Sequence, residues 1–283
     1  MVTLSPFRYP GGKTKLRNYL VELLNINNID GTYIEPYAGG AGAALSLLFN
    51  ENVKEIVIND IDISIYSLWH SILYQPRELC DKILYTPITM NEWHRQNLIQ
   101  KNKYNCNLLD LGFSTLFLNR TNRSGIIKAG VIGGYKQSGD YKMDCRFNKD
   151  DIINKIVQIS NRADQIHLYN LDCIDFLNQI AYIFDYNNSL VYLDPPYYNK
   201  GKALYTNFYT HDDHVNLSNY VVNNLHYPWI MSYDDTQEIH EIYGIHNLEI
   251  QDYSLFHSAG KMHKGCEIMI YSNNIIIPDI PIL

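Results

Sequence analysis

Tyr33-Ile-Glu-Pro-Tyr-Ala-Gly-Gly-Ala-Gly42 joins a short apolar run to a helical pattern through a turn of small residues. Such a turn lets a ligand approach backbone amides at a helix N-terminus, and it marks a strand-to-helix crossover of an α/β protein with a largely parallel sheet. Around it, residues 33–35 read as a strand, 41–49 as a helix, 55–60 as a second strand and 62–73 as a second helix. The second strand ends in Ile56-Val-Ile-Asn-Asp60. An acidic residue there, about twenty positions after the turn, can accept two hydrogen bonds from ribose hydroxyls. The turn is not Gly-x-Gly-x-x-Gly and is a weak signal alone; the turn and Asp60 together are a stronger one.

Beyond residue 75 the alternation stops. Residues 76–120 look helical, and 121–146 are rich in Gly, Lys, Asn and Ser without a sustained apolar period, as loops or a short hairpin would be. The α/β rhythm resumes with a helix over 148–162, whose Ile152, Ile153, Ile156 and Val157 share a face after an Asn148 cap. Strand patterns follow at 165–169, 190–194, 229–232 and 267–272. The expected architecture is a doubly wound α/β domain formed by residues 1–75 and 150–283, interrupted once by a segment over 76–149.

Leu190-Val-Tyr-Leu-Asp-Pro-Pro-Tyr197 is the most specific stretch. Two prolines after a strand remove amide donors and fix the backbone, which gives a rigid turn at the carboxyl end of the strand, where open α/β sheets bind ligands. The Asp194 carboxylate and the Pro195 carbonyl can accept both hydrogens of an exocyclic amine, while Tyr197 stacks on a base. An amine conjugated to an aromatic ring is a poor nucleophile, and two acceptors that localise its lone pair supply the chemistry it requires.

The 283 residues carry a net charge of -7, which by itself argues against a polyanionic partner. The distribution reverses this. Residues 101–149 hold nine basic side chains (Lys101, Lys103, Arg120, Arg123, Lys128, Lys136, Lys142, Arg146, Lys149) against three acidic ones (Asp110, Asp140, Asp144), a net of +6 that leaves the rest at -13. The apolar runs fall short of the roughly 18 residues that span a bilayer, and Met1 to Pro10 lacks the pattern of a signal peptide, so a cytoplasmic protein with no membrane partner is expected. Five cysteines without metal-ligand spacing suggest reduced structural thiols.

Phe7-Arg-Tyr-Pro-Gly-Gly-Lys13, the Glu-Pro-Tyr-Ala-Gly-Gly turn, Asp60 and Asp-Pro-Pro-Tyr, in this order, resemble the Dam-like DNA adenine-N6 methyltransferases of the alpha arrangement, in which the target-recognition insertion precedes the Asp-Pro-Pro-Tyr strand. Trp229-Ile-Met-Ser-Tyr-Asp-Asp235 and Lys264-Gly-Cys-Glu-Ile-Met-Ile270 resemble the family's late strands, so the likeness covers nearly the whole chain. It implies a class I methyltransferase fold, S-adenosylmethionine as cofactor, double-stranded DNA as partner and transfer of a methyl group to the 6-amino group of a flipped-out adenine. A restriction-modification, phage or epigenetic setting, with any cognate restriction endonuclease acting independently, is implied as well. Asp-Pro-Pro-Tyr also occurs in methyltransferases of RNA and of protein glutamine, which are the alternative readings, and a non-catalytic DNA-binding relative is disfavoured by the intact Lys13, Asp60 and Asp194.

By position, the resemblance implies that Tyr9 and Lys13 border the methionine end of the cofactor, with Lys13 close to the incoming adenine. Pro36, Ala38, Gly39 and Gly40 line the cofactor, Asp60 holds its ribose, Asp175 and Phe176 hold its adenine, and Asp194 adjoins it. Tyr9-Pro10 stands where several members have Trp-Ala. In the insertion, Asn119, Arg120, Asn122 and Arg123 are the expected readers of base edges. Lys128, Lys136, Lys142 and Arg146 are expected on phosphates. A loop over 199–210 is expected to close over the base. His211-Asp-Asp-His214 has a spacing that two metal ligands on a helix can share, but methyl transfer from a sulfonium needs no metal and the Asp pair suits a helix start.

Overall fold

The structure, a computed structural model, describes residues 4–8, 13–199, 209–257 and 263–282. Five strands run parallel: β1 (Thr32–Glu35), β2 (Glu55–Asn59), β3 (Ile166–Tyr169), β4 (Ser189–Leu193) and β5 (Trp229–Asp234). β7 (His263–Tyr271) lies antiparallel between β5 and β6 (Glu249–His257), giving the order β3-β2-β1-β4-β5-β7-β6. This is the doubly wound sheet expected. Its order reverses between β1 and β4, and the crevice outside their carboxyl ends is the switch point at which such sheets bind ligands. β6 had no counterpart in the sequence patterns; it pairs with β7 from Glu249↔Tyr271 to His257↔His263 and covers that flank of the sheet.

The strands are buried on both faces, which explains why they read as continuous apolar runs. Tyr33, Ile56, Leu190 and Ile230 join one core with Leu20, Leu23 and Leu24 of α1 (Arg17–Ile26) and Leu45, Leu47 and Leu48 of α2 (Gly42–Phe49). Their neighbours Ile34, Val57, Val191 and Met231 join the opposite core with Phe176 and Leu177 of α8 (Cys173–Ile180), Leu217 and Val221 of α9 (His211–Asn223) and Ile239 of α10 (Gln237–Gly244). The period-2 alternation of the strands thus sorts adjacent residues into two layers.

Between α3 (Ile63–Tyr74) and α7 (Lys149–Ser160) the chain forms α4 (Pro76–Tyr85), α5 (Met90–Lys101) and α6 (Leu108–Thr121). Leu79, Trp93, Phe113, Phe117, Val131 and Phe147 belong to the same buried cluster as the sheet's first face. α6 approaches α3 closely enough that a Cβ on Gly112 would lie 2.5 Å from the Ser67 carbonyl oxygen, so this contact requires glycine. Residues 122–146 form no long helix or strand but an isolated bridge, Asn122↔Val131, a short 3-10 helix over Arg123–Gly125 and further hydrogen-bonded turns at 132–137 and 143–146. Asn148 caps α7 by accepting the Asp151 N–H at 3.1 Å. Thr210 and Asp213 form a capping box at the start of α9, so the Asp pair of His211-Asp-Asp-His214 sits in a first helical turn. No helix of the described residues is long and apolar enough to cross a membrane.

Candidate active site

β1 delivers the chain into the turn 36–41. Gly39 (φ 46°) and Ala41 (φ 45°) are left-handed there, a conformation that glycine adopts freely and alanine only at a cost. The turn is held from both sides. Asp60 Oδ2 accepts the Gly39 N–H at 3.0 Å, and the Trp69 indole donates to the Gly39 carbonyl at 2.9 Å. Asp60 Oδ1 takes the Asp62 N–H at 2.9 Å, and burial, opposed by these amides, pushes the carboxyl up to about 7. Asn59 was not foreseen. Its side chain donates to the carbonyls of Pro36 (2.9 Å) and Leu171 (3.1 Å) and accepts the Leu171 N–H (2.9 Å), so one buried amide ties together the exits of β1, β2 and β3. A lone polar residue in the last position of an apolar strand is the signal that could have found it.

β4 delivers Asp194, Pro195, Pro196 and Tyr197 next to this turn. The Asp194 side chain is 22% exposed; Ser232 of β5 donates to its Oδ1 at 2.9 Å, and the Lys13 ammonium stands 3.3 Å from the same oxygen. Among the described residues Oδ2 has no hydrogen-bond donor, so one carboxylate oxygen is held and the other is available. Asp234, at the end of β5, accepts the N–H groups of Tyr198 (2.9 Å) and Asn199 (3.2 Å), which pins the backbone just past Tyr197.

Behind Asp194 lies a buried charge cluster centred on Glu267 of β7. Lys13 Nζ donates to Glu267 Oε2 at 2.9 Å and to the Tyr197 hydroxyl at 3.1 Å, Tyr197 donates to Glu267 Oε1, and Tyr253 donates to Oε2 at 2.6 Å. Lys13 is 5% and Glu267 1% exposed, so the pair survives desolvation by mutual contact. Burial pushes Asp194 up, and Glu267 adds to this while Lys13 opposes it. Glu267 would rise on burial alone, but Lys13 and the two hydroxyls hold it below the ordinary carboxylate range. Lys13 would fall on burial, yet Asp194 and Glu267 hold it above its ordinary value. Glu267 escaped sequence reasoning although its strand was recognised; a carboxylate amid Ile-Met-Ile was the available signal.

The turn residues Pro36, Ala38, Gly39 and Gly40 are buried together with Lys13, Pro195 and Tyr197 along these strand ends, with Asp60 and Asp194 partly open. Phe176 is fully buried where α8 meets the sheet, with its ring 5.3 Å from that of Tyr169 at the carboxyl end of β3. Asp175 is exposed one position earlier, and Asp172, the N-cap of α8, is the acidic residue at the sheet's edge. Tyr9 and most of the 199–210 loop lie outside the described residues.

The insertion also departs from expectation. Asn119 and Asn122 are fully buried and not at a DNA-facing surface. Asn119 bonds the backbone of Arg8 and Gly125, and Asn122 accepts the Trp93 indole N–H at 2.7 Å and donates to Ile127 O at 2.8 Å. A buried amide must satisfy its own donors and acceptor, and the turn around them consumes both. Arg120 is 9% exposed. Arg123, Lys128, Lys136, Lys142 and Arg146 are exposed, with Lys142 Nζ bonded to the carbonyls of Gln137 (2.7 Å) and Gly139 (2.9 Å).

The donor set fits S-adenosylmethionine: a turn whose residues 38–41 are all glycine or alanine, a carboxylate at the end of β2 for a ribose diol, and one free carboxylate oxygen at the next switch-point strand. Comparison with known proteins identifies the family. The family model described as D12 class N6 adenine-specific DNA methyltransferase matches residues 9–252. The type II methyltransferase M.CviBI of Paramecium bursaria Chlorella virus NC1A is 24% identical over 208 residues, 67% of this chain and 68% of that protein. Among solved structures, the rRNA methyltransferase aviRa of Streptomyces viridochromogenes aligns over 95% of this chain and 88% of its own at 12% identity and a TM-score of 0.42. An uncharacterized protein of Listeria monocytogenes serotype 4b aligns over 95% and 68% at 9% identity and a TM-score of 0.38.

Proposed function

Since the chain belongs to the D12 class N6 adenine-specific DNA methyltransferases, we propose that it methylates the 6-amino group of an adenine extruded from duplex DNA, with S-adenosylmethionine as donor. The observation that carries this reading is the placement of the Asp60-held glycine turn and of Asp194 at the exits of adjacent strands, with Lys13 against Asp194. S-adenosylmethionine supplies an electrophilic methyl group when bound. Every other step falls to this chain's residues.

Asp60 accepts the ribose hydroxyls while its existing bond to Gly39 keeps the turn in shape. Asp194 Oδ2 and the Pro195 carbonyl accept the two hydrogens of the adenine amine, which localises its lone pair towards the methyl group. Catalysis here is positioning and electrostatics. The nitrogen–carbon bond forms as the sulfur–carbon bond breaks, and the amine proton leaves to solvent afterwards. Tyr197 offers its ring to the extruded base, whose unstacking costs a few kcal/mol. Its hydroxyl, anchored on Glu267, fixes the ring plane. Lys13 borders both substrates.

The segment 76–149 is the proposed recognition element, with Arg123 on base edges and Lys128, Lys136, Lys142 and Arg146 on phosphates. Because M.CviBI is a type II methyltransferase, a fixed recognition sequence with an independently acting cognate endonuclease is the proposed setting. Sequencing of DNA from cells that express the chain, with a readout of methylated adenines, tests the reading. Methyl-adenine at one short sequence is expected; unmodified DNA beside methylated RNA or protein glutamine would overturn it.

A further inference from the structure

Arg8, Arg120 and Arg146 come together from three separate parts of the chain. Asn119 accepts the Arg8 N–H at 2.8 Å and donates to the Arg8 carbonyl at 2.6 Å, which staples the segment before Lys13 onto α6. The next residue on α6, Arg120, donates Nη1 to the Arg146 carbonyl at 3.4 Å. Gly125 (φ 76°) completes the junction: a Cβ there would stand 2.6 Å from the Arg8 carbonyl oxygen, so its glycine gives Arg8 its place.

These cations are not neutralised inside the protein. Every Asp and Glu of the chain lies among the described residues, and none forms an ion pair with Arg8, Arg120 or Arg146. Asp151, whose charge Arg120 feels, is paired with Lys155 at 2.9 Å. Burial and then the charge of Arg146 lower Arg8; burial and then the charge of Arg8 push Arg120 down to about 10. Two buried donors, Arg8 Nη1 and Arg120 Nε, have no hydrogen-bond partner among the described residues. Unpaired buried guanidinium groups are expensive, and like charges held together make them more so. An anion with several oxygens would answer both needs at once.

We propose that Arg8, Arg120 and Arg146 form a cradle for one backbone phosphate of the bound DNA. Arg8 precedes Lys13 by five residues, so even a fully extended chain leaves their Cα atoms within about 18 Å of each other. It grips the strand near the target adenine without reading sequence. The inference rests on DNA being the substrate.

Fluorescence-anisotropy titrations of matched and unrelated duplexes at several salt concentrations test it, with Arg146→Gln as the first variant because its side chain is exposed. Arg8→Gln, the double variant and Lys54→Gln, a charge control at the amino ends of the strands, complete the set. Arg146→Gln and Arg8→Gln are each expected to weaken all duplexes alike, with S-adenosylmethionine affinity by calorimetry unchanged. The double variant should lower the slope of log affinity against log salt by about 0.9, the release expected for one phosphate. A fall of about 1.8 would mean two independent contacts and overturn the cradle, as would slopes equal to that of Lys54→Gln. Loss of cofactor affinity would assign the cluster to the cofactor carboxylate and also overturn it. If these variants keep the wild-type slope while the wild type methylates duplex adenines, the cradle alone is wrong; a wild type that methylates no duplex adenine removes the functional reading and the cradle with it.

Discussion

Lys13 and Arg120 are both cations buried to more than nine-tenths, and the protein treats them oppositely. Lys13 is enclosed by Glu267 and Asp194 and by the Tyr197 hydroxyl, so its charge is answered before any substrate arrives. Arg120 stands beside Arg8 and Arg146 with no carboxylate in contact. The difference suits what each region is proposed to receive. A neutral adenine amine needs fixed acceptors, whereas a polyanionic backbone provides the counter-charge itself. The acidic balance of the whole chain hides this division.

The largest effect expected within this contrast is on chemistry. Asp194→Ala should slow methyl transfer in single-turnover assays by about 10²- to 10³-fold, while duplex and cofactor affinity persist. A rate near wild type would remove Asp194 from the centre. The same carboxylate must be ionised to accept the amine hydrogens. Because burial raises its pKa, activity should fall with acidification above the ordinary carboxylate range, and a pH–rate profile checks this.

Next comes the settled pair itself. Glu267→Ala leaves Lys13 with a poorer partner and should cost about 3 to 5 kcal/mol in urea unfolding. Arg146→Gln deletes a charge that nothing in the protein neutralises, and should cost nothing or stabilise. Equal losses in both variants would abolish the distinction between the two regions.

Asp60→Ala should weaken S-adenosylmethionine by about 1.5 to 3 kcal/mol in calorimetry, with DNA affinity unchanged. Unchanged cofactor affinity would move the ribose to another acceptor and leave Asp60 as a clamp on Gly39. Smaller again are the effects on the exposed insertion. Arg123→Ala should cost about 1 to 3 kcal/mol on the matched site and relax preference at one position. Lys136→Ala should weaken all duplexes slightly, with a shallower salt slope. Uniform losses in both would make Arg123 a backbone contact.

Much of the centre was legible because it is written locally. A glycine turn after a strand, an acid at the next strand's end and Asp-Pro-Pro-Tyr each declare a backbone shape and a side-chain type within a few residues, and the parallel sheet then brings them together. The period-2 and helical patterns likewise gave the central strands and most helices. β6 was missed because Glu249–His257 has no clean alternation; it becomes a strand through its pairing with β7. Asn119 and Asn122 look like surface readers in sequence, since polarity alone does not say which side of α6 and its turn faces Trp93 and Arg8.

What the sequence determined by itself was the doubly wound framework, the kind of chemistry at its switch point and the concentration of positive charge in 101–149. Only the tertiary structure decided which charges are answered within the molecule. Lys13 and Glu267 lie 254 positions apart, and Arg8 and Asn119 lie 111 apart, so no local pattern links them. Backbone shape follows from neighbours along the chain, but the energy of a buried charge depends on every group folded around it, and that is fixed only when the sheet closes and α6 docks on α3.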